Sequence, residues 1–413
     1  MQSNYKRLGD YIKEVKIKNV TLEATLLLGI NINKFFMPSV ANVIGTDMSN
    51  YRIVKKNQFA CNRMHVGRDY RIPVALSKRD EPFMVSPAYD VFEIIDTSVL
   101  LPEYLMMWFS RKEFDRNAWF YTDADVRGGL HWKAFCDMQL PIPSIEKQVE
   151  IVKEYHIIQN RLSLNNQLIT KLEETAQAIY KQWFVDFEFP DENGKPYKSN
   201  GGEMVWCEEL EKEIPENWEV VNLEIFGKVV TGKTPSSEFP DEFGNDMKFV
   251  TPGDFKYFTK YAFKTDRHLS KKGIAKLKSK ILPKGSVIVT CIGSDMGKIV
   301  LTIEDCITNQ QMNSIDVSES FYSDYLYEYL KNISSEIKSI AMGSSTMPML
   351  NKTEFEKILI IKPINNLLVK YEKLLNPLNV LLLKNTKENQ KLEELKDLLL
   401  ARMTRVESET ILV

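Results

Sequence analysis

The chain has 413 residues, 44% of them hydrophobic and 27% charged, with a formal net charge of −2. That length allows two or three domains with cores of their own, and so little net charge means that a nucleic-acid partner must be argued from where charges cluster. No apolar run approaches the ~18 residues that span a bilayer, and residues 1–7 lack the apolar stretch of a signal peptide, so a cytoplasmic protein without membrane contact is expected.

Residues 1–143 mix short β-rich runs, such as Phe83-Met84-Val85 and residues 91–95, with a helical stretch from Pro102 to about Phe120, which predicts an α+β domain. Pro141 and Pro143 punctuate its end, and Ser144 is the expected N-cap of a helix over residues 144–189. Within it Ile151, Tyr155, Ile158, Leu162, Asn165, Ile169, Leu172, Ala176, Ile179 and Trp183 alternate steps of four and three, a heptad seam. Residues 190–215 are rich in turn formers and read as a linker. Residues 216–361 form a second globular unit with a strand near Val287-Ile288-Val289, and residues 362–413 a second helix. Its seam, Tyr371, Leu375, Leu378, Leu382, Asn385, Asn389, Leu392, Lys396, Leu399 and Met403, is poorer, and Pro377 is expected to kink it.

The two halves repeat one plan. Phe135 and Phe355, Pro143 and Pro363, Asn165 and Asn385, and Lys171-Leu172-Glu173 and Lys391-Leu392-Glu393 all stand one offset apart, 355 − 135 = 220. A period held through a domain edge and a long helix predicts two similar units related by a pseudo-twofold. Asn165 and Asn385 fall at equivalent seam positions, where a polar residue costs stability but fixes register.

Motifs for catalysis are missing or misleading. Residues 227–234 satisfy G-x-x-x-x-G-K-[ST], but Pro235, Pro240 and Gly244 interrupt the helix that a phosphate-binding loop needs. Pro240-Asp241 and Asp246-Met247-Lys248 resemble nuclease elements at too short a spacing, and no methyltransferase N-P-P-Y or D-P-P-Y loop is present. The five cysteines form no C-x-x-C pair and the four histidines are scattered, which predicts reduced thiols and no metal site.

Charge does cluster. Residues 52–79 hold Arg52, Lys55, Lys56, Arg63, Arg68, Arg71, Lys78 and Arg79 against Asp69 alone, and residues 256–280 hold nine basic residues, among them Lys256 and Lys260, against Asp266 alone. One basic segment per repeat suggests phosphate contacts, and Gln or Asn side chains in polar loops suggest base contacts.

The duplicated plan, the long helices and several stretches make the chain resemble the specificity subunits of type I restriction-modification systems. Those stretches are residues 175–188, Thr231-Gly232-Lys233-Thr234-Pro235, Val250-Thr251-Pro252-Gly253-Asp254, and Gly343-Ser344-Ser345-Thr346 leading to Leu350-Asn351-Lys352. The resemblance implies two target-recognition domains separated by two long antiparallel, coiled-coil-like helices, each domain reading one half of a split site in double-stranded DNA. It implies no catalysis on this subunit. Two methyltransferase subunits would dock on it and motor-nuclease restriction subunits would join them, with S-adenosylmethionine, ATP and Mg on those partners and no cofactor here. Expected DNA contacts in the first unit are Arg63, His65, Arg68, Arg71, Lys78, Arg79, Arg127, His131 and Lys133. In the second they are Lys233, Thr234, Lys248, Lys256, Ser294, Lys298, Gln310, Gln311, Ser344, Ser345, Thr346, Asn351 and Lys352. The first unit departs from the second in lacking the Thr-Gly-Lys-Thr-Pro and Gly-Ser-Ser-Thr stretches. Two other classes remain open: a coiled-coil scaffold that joins protein-binding domains without touching DNA, and a solitary modification enzyme, which the missing methyltransferase motifs disfavour.

Overall fold

A computed structural model describes residues 5–41, 45–64, 66–122, 128–293, 296–342 and 349–405. The chain divides into two compact units, residues 1–165 with 388–413 and residues 166–387. Each unit holds part of both long helices, Ile145–Tyr180 and Asn365–Arg402, so the boundaries fall inside the helices and not at their ends.

In the first unit an antiparallel sheet runs in the order Ile12–Val15, Asp90–Ile94, Phe59–Cys61, Val74–Leu76. Phe92 lies stacked on Phe59 with centroids 5.0 Å apart, and Phe109 and Phe135 close around the pair. These rings belong to the core against which helices Pro102–Phe109, Lys112–Phe120 and Trp132–Asp137 pack. Strand Gln139–Pro141 then returns to pair with Tyr5–Arg7, and Tyr104 donates its hydroxyl to the Pro141 carbonyl at 3.2 Å.

The following helix begins where expected. Ser144 Oγ accepts the Lys147 N–H at 3.4 Å, and the buried Gln148 amide donates to the Val99 and Pro143 carbonyls at 2.8 and 2.9 Å while accepting from the Leu101 N–H at 2.9 Å. Ile151, Ile158 and Leu162 share one core with Leu392, Leu399 and Met403. Arg161 grips Glu388 through two bonds of 2.7 and 2.9 Å, and Tyr155 lies within the field of Lys396, so the two segments run antiparallel in this unit.

The second unit repeats the sheet. Gly227–Thr231, Met312–Val317, Val287–Thr290 and Ile299–Thr302 follow the same order, extended by a parallel strand, Tyr261–Ala262. Glu219–Asn222 pairs with Leu359–Lys362 as the first unit's terminal strands do, and Tyr325 donates to the Ile361 carbonyl, the counterpart of Tyr104 and Pro141. A second sheet orders Arg267–Leu269, Phe243–Val250 and Cys306–Thr308. Leu172, Ala176, Tyr180 and Trp183 share a core with Tyr371, Leu375 and Leu382, Trp183 meeting the Tyr371 ring at 5.8 Å. All the expected seam positions on both helices are buried or half-buried, including Asn165 and Asn385, and the second helix continues through Pro377.

Residues 190–215 are not a free linker. Met204–Cys207 and Lys212–Pro215 form a hairpin, and Cys207 and Ile214 are buried with Phe187, Phe189 and Trp218. The turn-forming composition marks the ends of a folded hairpin, whose few apolar residues suffice to anchor it.

The core of the second unit also encloses charge. Lys260, 1% exposed, binds Asp324 of helix Tyr322–Asn332 and Asn379 of the long helix, and Asn379 Nδ2 donates to Asp324 at 2.9 Å. Nearby Glu328 is buried and its Oε2 has no hydrogen-bond partner. Burial raises its pKa from 4.5 to about 7, against the pull of Lys260 and Lys331. Because the folded state then holds a proton that the unfolded state has lost, this group's contribution falls as pH rises from about 4.5 through about 7. Glu328→Gln is expected to flatten that limb and to stabilise the second unit by roughly 1–3 kcal/mol at pH 8. Urea denaturation followed across the pH range checks it, and a steeper limb in the variant would contradict it.

Candidate nucleic-acid interface

One end of the second unit's sheets gathers the loops that the sequence singles out. Strand Gly227–Thr231 runs into Gly232-Lys233-Thr234, Phe243–Val250 into Thr251–Asp254, and Cys306–Thr308 into Asn309-Gln310-Gln311. The Lys233 N–H donates to the Thr308 carbonyl at 2.9 Å, Thr234 Oγ1 to Gln310 Oε1 at 2.6 Å, and the Asn309 N–H to the Val250 carbonyl at 3.1 Å. The Cys291 N–H donates to the Gln311 carbonyl and the Leu350 N–H to the Cys291 carbonyl, each at 2.9 Å, which brings the segment from Met349 alongside.

This geometry explains the phosphate-loop lookalike. The Gly232 and Lys233 N–H groups, which a phosphate cradle would need, are already donated to Met312 and Thr308, and residues 235–239, directly after Thr234, are not helical. Asp254 is likewise structural: one oxygen accepts from the Thr251 N–H and hydroxyl at 2.7 and 2.8 Å, the other from the Asp266 N–H at 2.8 Å. The motif residues build the loops; the groups they leave outward are Lys233 and Gln310, both exposed, with Thr234 half-buried beside them.

The remaining expected contacts divide. Lys298, Asn351 and Lys352 are exposed on the same loop end, Asn351 also capping helix Lys352–Glu356 by accepting the Glu354 N–H at 3.0 Å. Lys256 is exposed above the Tyr257 ring and 3.2 Å from Asp266, and hydrogen bonding to both raises its pKa, so it stays charged. Gln311 is half-buried and accepts from Asn309 Nδ2 at 2.9 Å. Lys248 is 17% exposed, donating to the Phe263 carbonyl and lying 2.6 Å from Glu304, so its ammonium is already engaged. Lys260 leaves the basic surface altogether for the buried site described above, and Lys272 and Lys276 are paired with Asp241 and Glu242.

In the first unit the corresponding end carries the loop of residues 62–73, between strands Phe59–Cys61 and Val74–Leu76. The Leu130 N–H donates to the Arg63 carbonyl at 2.9 Å, the counterpart of Leu350 and Cys291. Gly67 and Gly128 pack backbone to backbone: a Cβ on Gly67 would stand 2.7 Å from Gly128 Cα, and Gly128 has a φ of +56° that favours glycine. Arg68 is 65% exposed with a two-bond grip on Asp69, and Arg71 is exposed, donating to Asn33 at 3.2 Å. His131 and Lys133 are exposed at the start of helix Trp132–Asp137.

Arg63 is a correction to the sequence reading. Its guanidinium donates to Asp90 at 2.6 Å and to the Leu130 carbonyl and is 18% exposed, so it fastens the loop end together from within. Lys78 and Arg79 follow strand Val74–Leu76 and emerge at its other end, where Lys78 lies 3.5 Å from His156 of the long helix. A basic run threaded through a strand-loop-strand unit is shared between two ends of the sheet. His65, Arg127, Ser294, Ser344, Ser345 and Thr346 lie outside the described residues.

Sheet equivalence identifies positions that the motifs did not. Lys16, Lys18 and Asn31 follow the first unit's strands where Thr231 and Val250 end the second unit's, the parallel bridges Leu27 to Met84 and Phe249 to Ile307 fixing the match. Lys16 and Lys18 are exposed. Only strand order could have found them, since no sequence motif is shared there.

Comparison with known proteins agrees with this geometry. Residues 215–396 match the family model described as "Type I restriction modification DNA specificity domain". The chain is 26% identical to the Type I restriction enzyme HindI specificity subunit of Haemophilus influenzae, over 90% of this chain and 91% of that one. Residues 215–396 carry that domain, and over nearly its whole length the chain is similar to a type I specificity subunit. A shorter match, 28% identical over 44% of this chain and 42% of the relative, is to the MjaIX specificity subunit of Methanocaldococcus jannaschii. The crystal structure of a type I restriction-modification S subunit from M. genitalium shares the fold at a TM-score of 0.58, with 15% identity over 97% of this chain and 95% of that one. A DNA specificity domain suits a loop end that presents Lys233, Lys298, Gln310 and Asn351 to solvent.

Proposed function

We propose that this specificity subunit reads a bipartite site in duplex DNA, the loop end of each unit taking one half. The repetition of sheet order and of the loop-end bond, Leu130 to Arg63 and Leu350 to Cys291, carries this reading, since two equivalent surfaces suit two half-sites. Lys233, Lys256 and Lys298 in one unit and Arg68 and Arg71 in the other would neutralise phosphates, and Gln310 and Asn351 are placed to meet base edges. The long helices would set the distance between half-sites and dock two methyltransferase subunits, which restriction subunits would join in the cytoplasm. Exposed apolar side chains on those helices support docking: Ile157 and Leu398 in the first unit, Leu374 and Val380 in the second. S-adenosylmethionine, ATP and Mg would belong to those partners.

Spacing supplies the test. Seven residues inserted after Lys171 and seven after Lys391 keep the heptad phase of both helices and add ~10 Å, about three base pairs. The two half-sites are expected to keep their sequences while the gap between them lengthens. Altered half-sites with an unchanged gap would overturn the spacing role.

A further inference from the structure

Four aromatic side chains stand in solvent beside the loop end of the first unit. Helix Lys112–Phe120 turns Phe114, Asp115 and Ala118 into the core and leaves Trp119 42% and Phe120 76% exposed. Tyr121, which follows the helix, is 55% exposed, and Tyr70, in the loop of residues 62–73, is 63% exposed. The Tyr70 and Trp119 rings meet at 5.4 Å and those of Phe120 and Tyr121 at 5.5 Å. Single exposed apolar residues need no explanation, but four large rings in contact pairs do. Tyr70 also holds a φ of +55°, which is rare for a bulky residue and costs backbone strain.

The rim is cationic. Arg68 and Arg116 are 65% and 72% exposed and Arg71 is exposed, against Asp69 and Glu113. Arg116 lies one helical turn before Phe120, on the same face. The repeat does not require these rings: the second unit's helix in the same place in the chain order, Ser334–Met342, has no aromatic residue in its sequence. A feature present in one copy only, costly in solvent and joined to the arginine-bearing loop, points away from packing and toward a ligand with both flat apolar faces and negative charge.

We propose that this patch is a stacking wedge for duplex DNA, with Phe120 entering a base step of one half-site and the Tyr70–Trp119 pair carrying an unstacked base. Arg68, Arg71 and Arg116 hold the flanking phosphates. Every base offers a π face, and apolar wedges that open a step are repaid by the contacts that the bent duplex then makes. The inference rests on the first unit's reading of a DNA half-site. Because only one unit carries the rings, the distortion is confined to one half.

The test uses the full chain with its methyltransferase partners and duplexes carrying the recognition site, with 2-aminopurine placed at one position at a time through both halves. Apart from the target bases, which methyltransferases extrude, fluorescence is expected to rise at one or two adjacent positions in one half only. Phe120→Ala should abolish the rise, and Phe120→Ala and Trp119→Ala should each weaken binding about tenfold while the footprint still covers both halves. A wild-type footprint over both halves without a fluorescence rise outside the target bases overturns the wedge, as does unchanged affinity in both variants. Variants that bind DNA normally but lose a methyltransferase subunit would make the patch a protein interface instead. No sequence-specific footprint at all would overturn the DNA reading itself, and the wedge with it.

Discussion

Lys260→Met is expected to destabilise the second unit by about 3–5 kcal/mol, because it strands the Asp324 carboxylate in the core. Lys260 immediately precedes strand Tyr261–Ala262, Asp324 lies on helix Tyr322–Asn332 and Asn379 on the long helix, so one ammonium group joins the sheet and both helices. Without it, Asp324, 8% exposed, keeps the Asn379 amide as its one side-chain donor among the described residues. The double substitution Lys260→Met with Asp324→Leu removes both charges and is expected to recover most of the loss, since a buried ion pair is worth little more than well-packed apolar groups. Equilibrium unfolding in urea gives both numbers. A single variant within about 1 kcal/mol of the natural chain would show the pair to be dispensable.

Gly232→Ala is expected to remove recognition of one half-site while leaving the other. A Cβ at this position would lie inside the contact distance of the Asn309 carbonyl and the Thr308 carbonyl and hydroxyl, atoms that cannot withdraw without moving the neighbouring loop. Overpacking of that kind costs ~1–3 kcal/mol, and displacement of Lys233, Thr234 and Gln310 forfeits ~1–3 kcal/mol per paired base contact. Gly253→Ala is the control, because its Cβ would meet only Thr251 Oγ1, at 3.8 Å. Competition binding with duplexes altered in either half separates the outcomes. Equal loss in both halves would show a general unfolding, and no loss would show that the Gly232 loop does not touch DNA.

What the sequence reveals follows from how local each signal is. The heptad seams are periodic along the chain, and each of their positions is buried or half-buried in the structure. The repeat is equally legible, and the structure extends it to hydroxyls placed alike on Tyr104 and Tyr325, a pair that the offset of 220 does not find. Charge runs mislead because a run has no direction until the strands are placed: Lys260 turns into the core, Arg63 bonds within its own loop end, and Lys78 emerges at the other end of the sheet from Arg71. Lys16 and Lys18 were invisible for the converse reason, since their equivalence to the Thr231 loop exists only in strand pairing. The hairpin within residues 190–215 was hidden by its own turns, which outnumber the apolar residues that bury it.

The central claim is that each unit reads its own half of a divided site, and methylation mapping in cells tests it directly. The gene is expressed with its partner genes in three forms: natural, with Lys233→Ala and Gln310→Ala in the second unit, and with Arg71→Ala and His131→Ala in the first. The natural form should methylate a motif of two fixed halves around an unspecified gap. Each variant should relax or lose one half only, and a different half in each case. A single uninterrupted motif, or two variants that relax the same positions, would contradict the account.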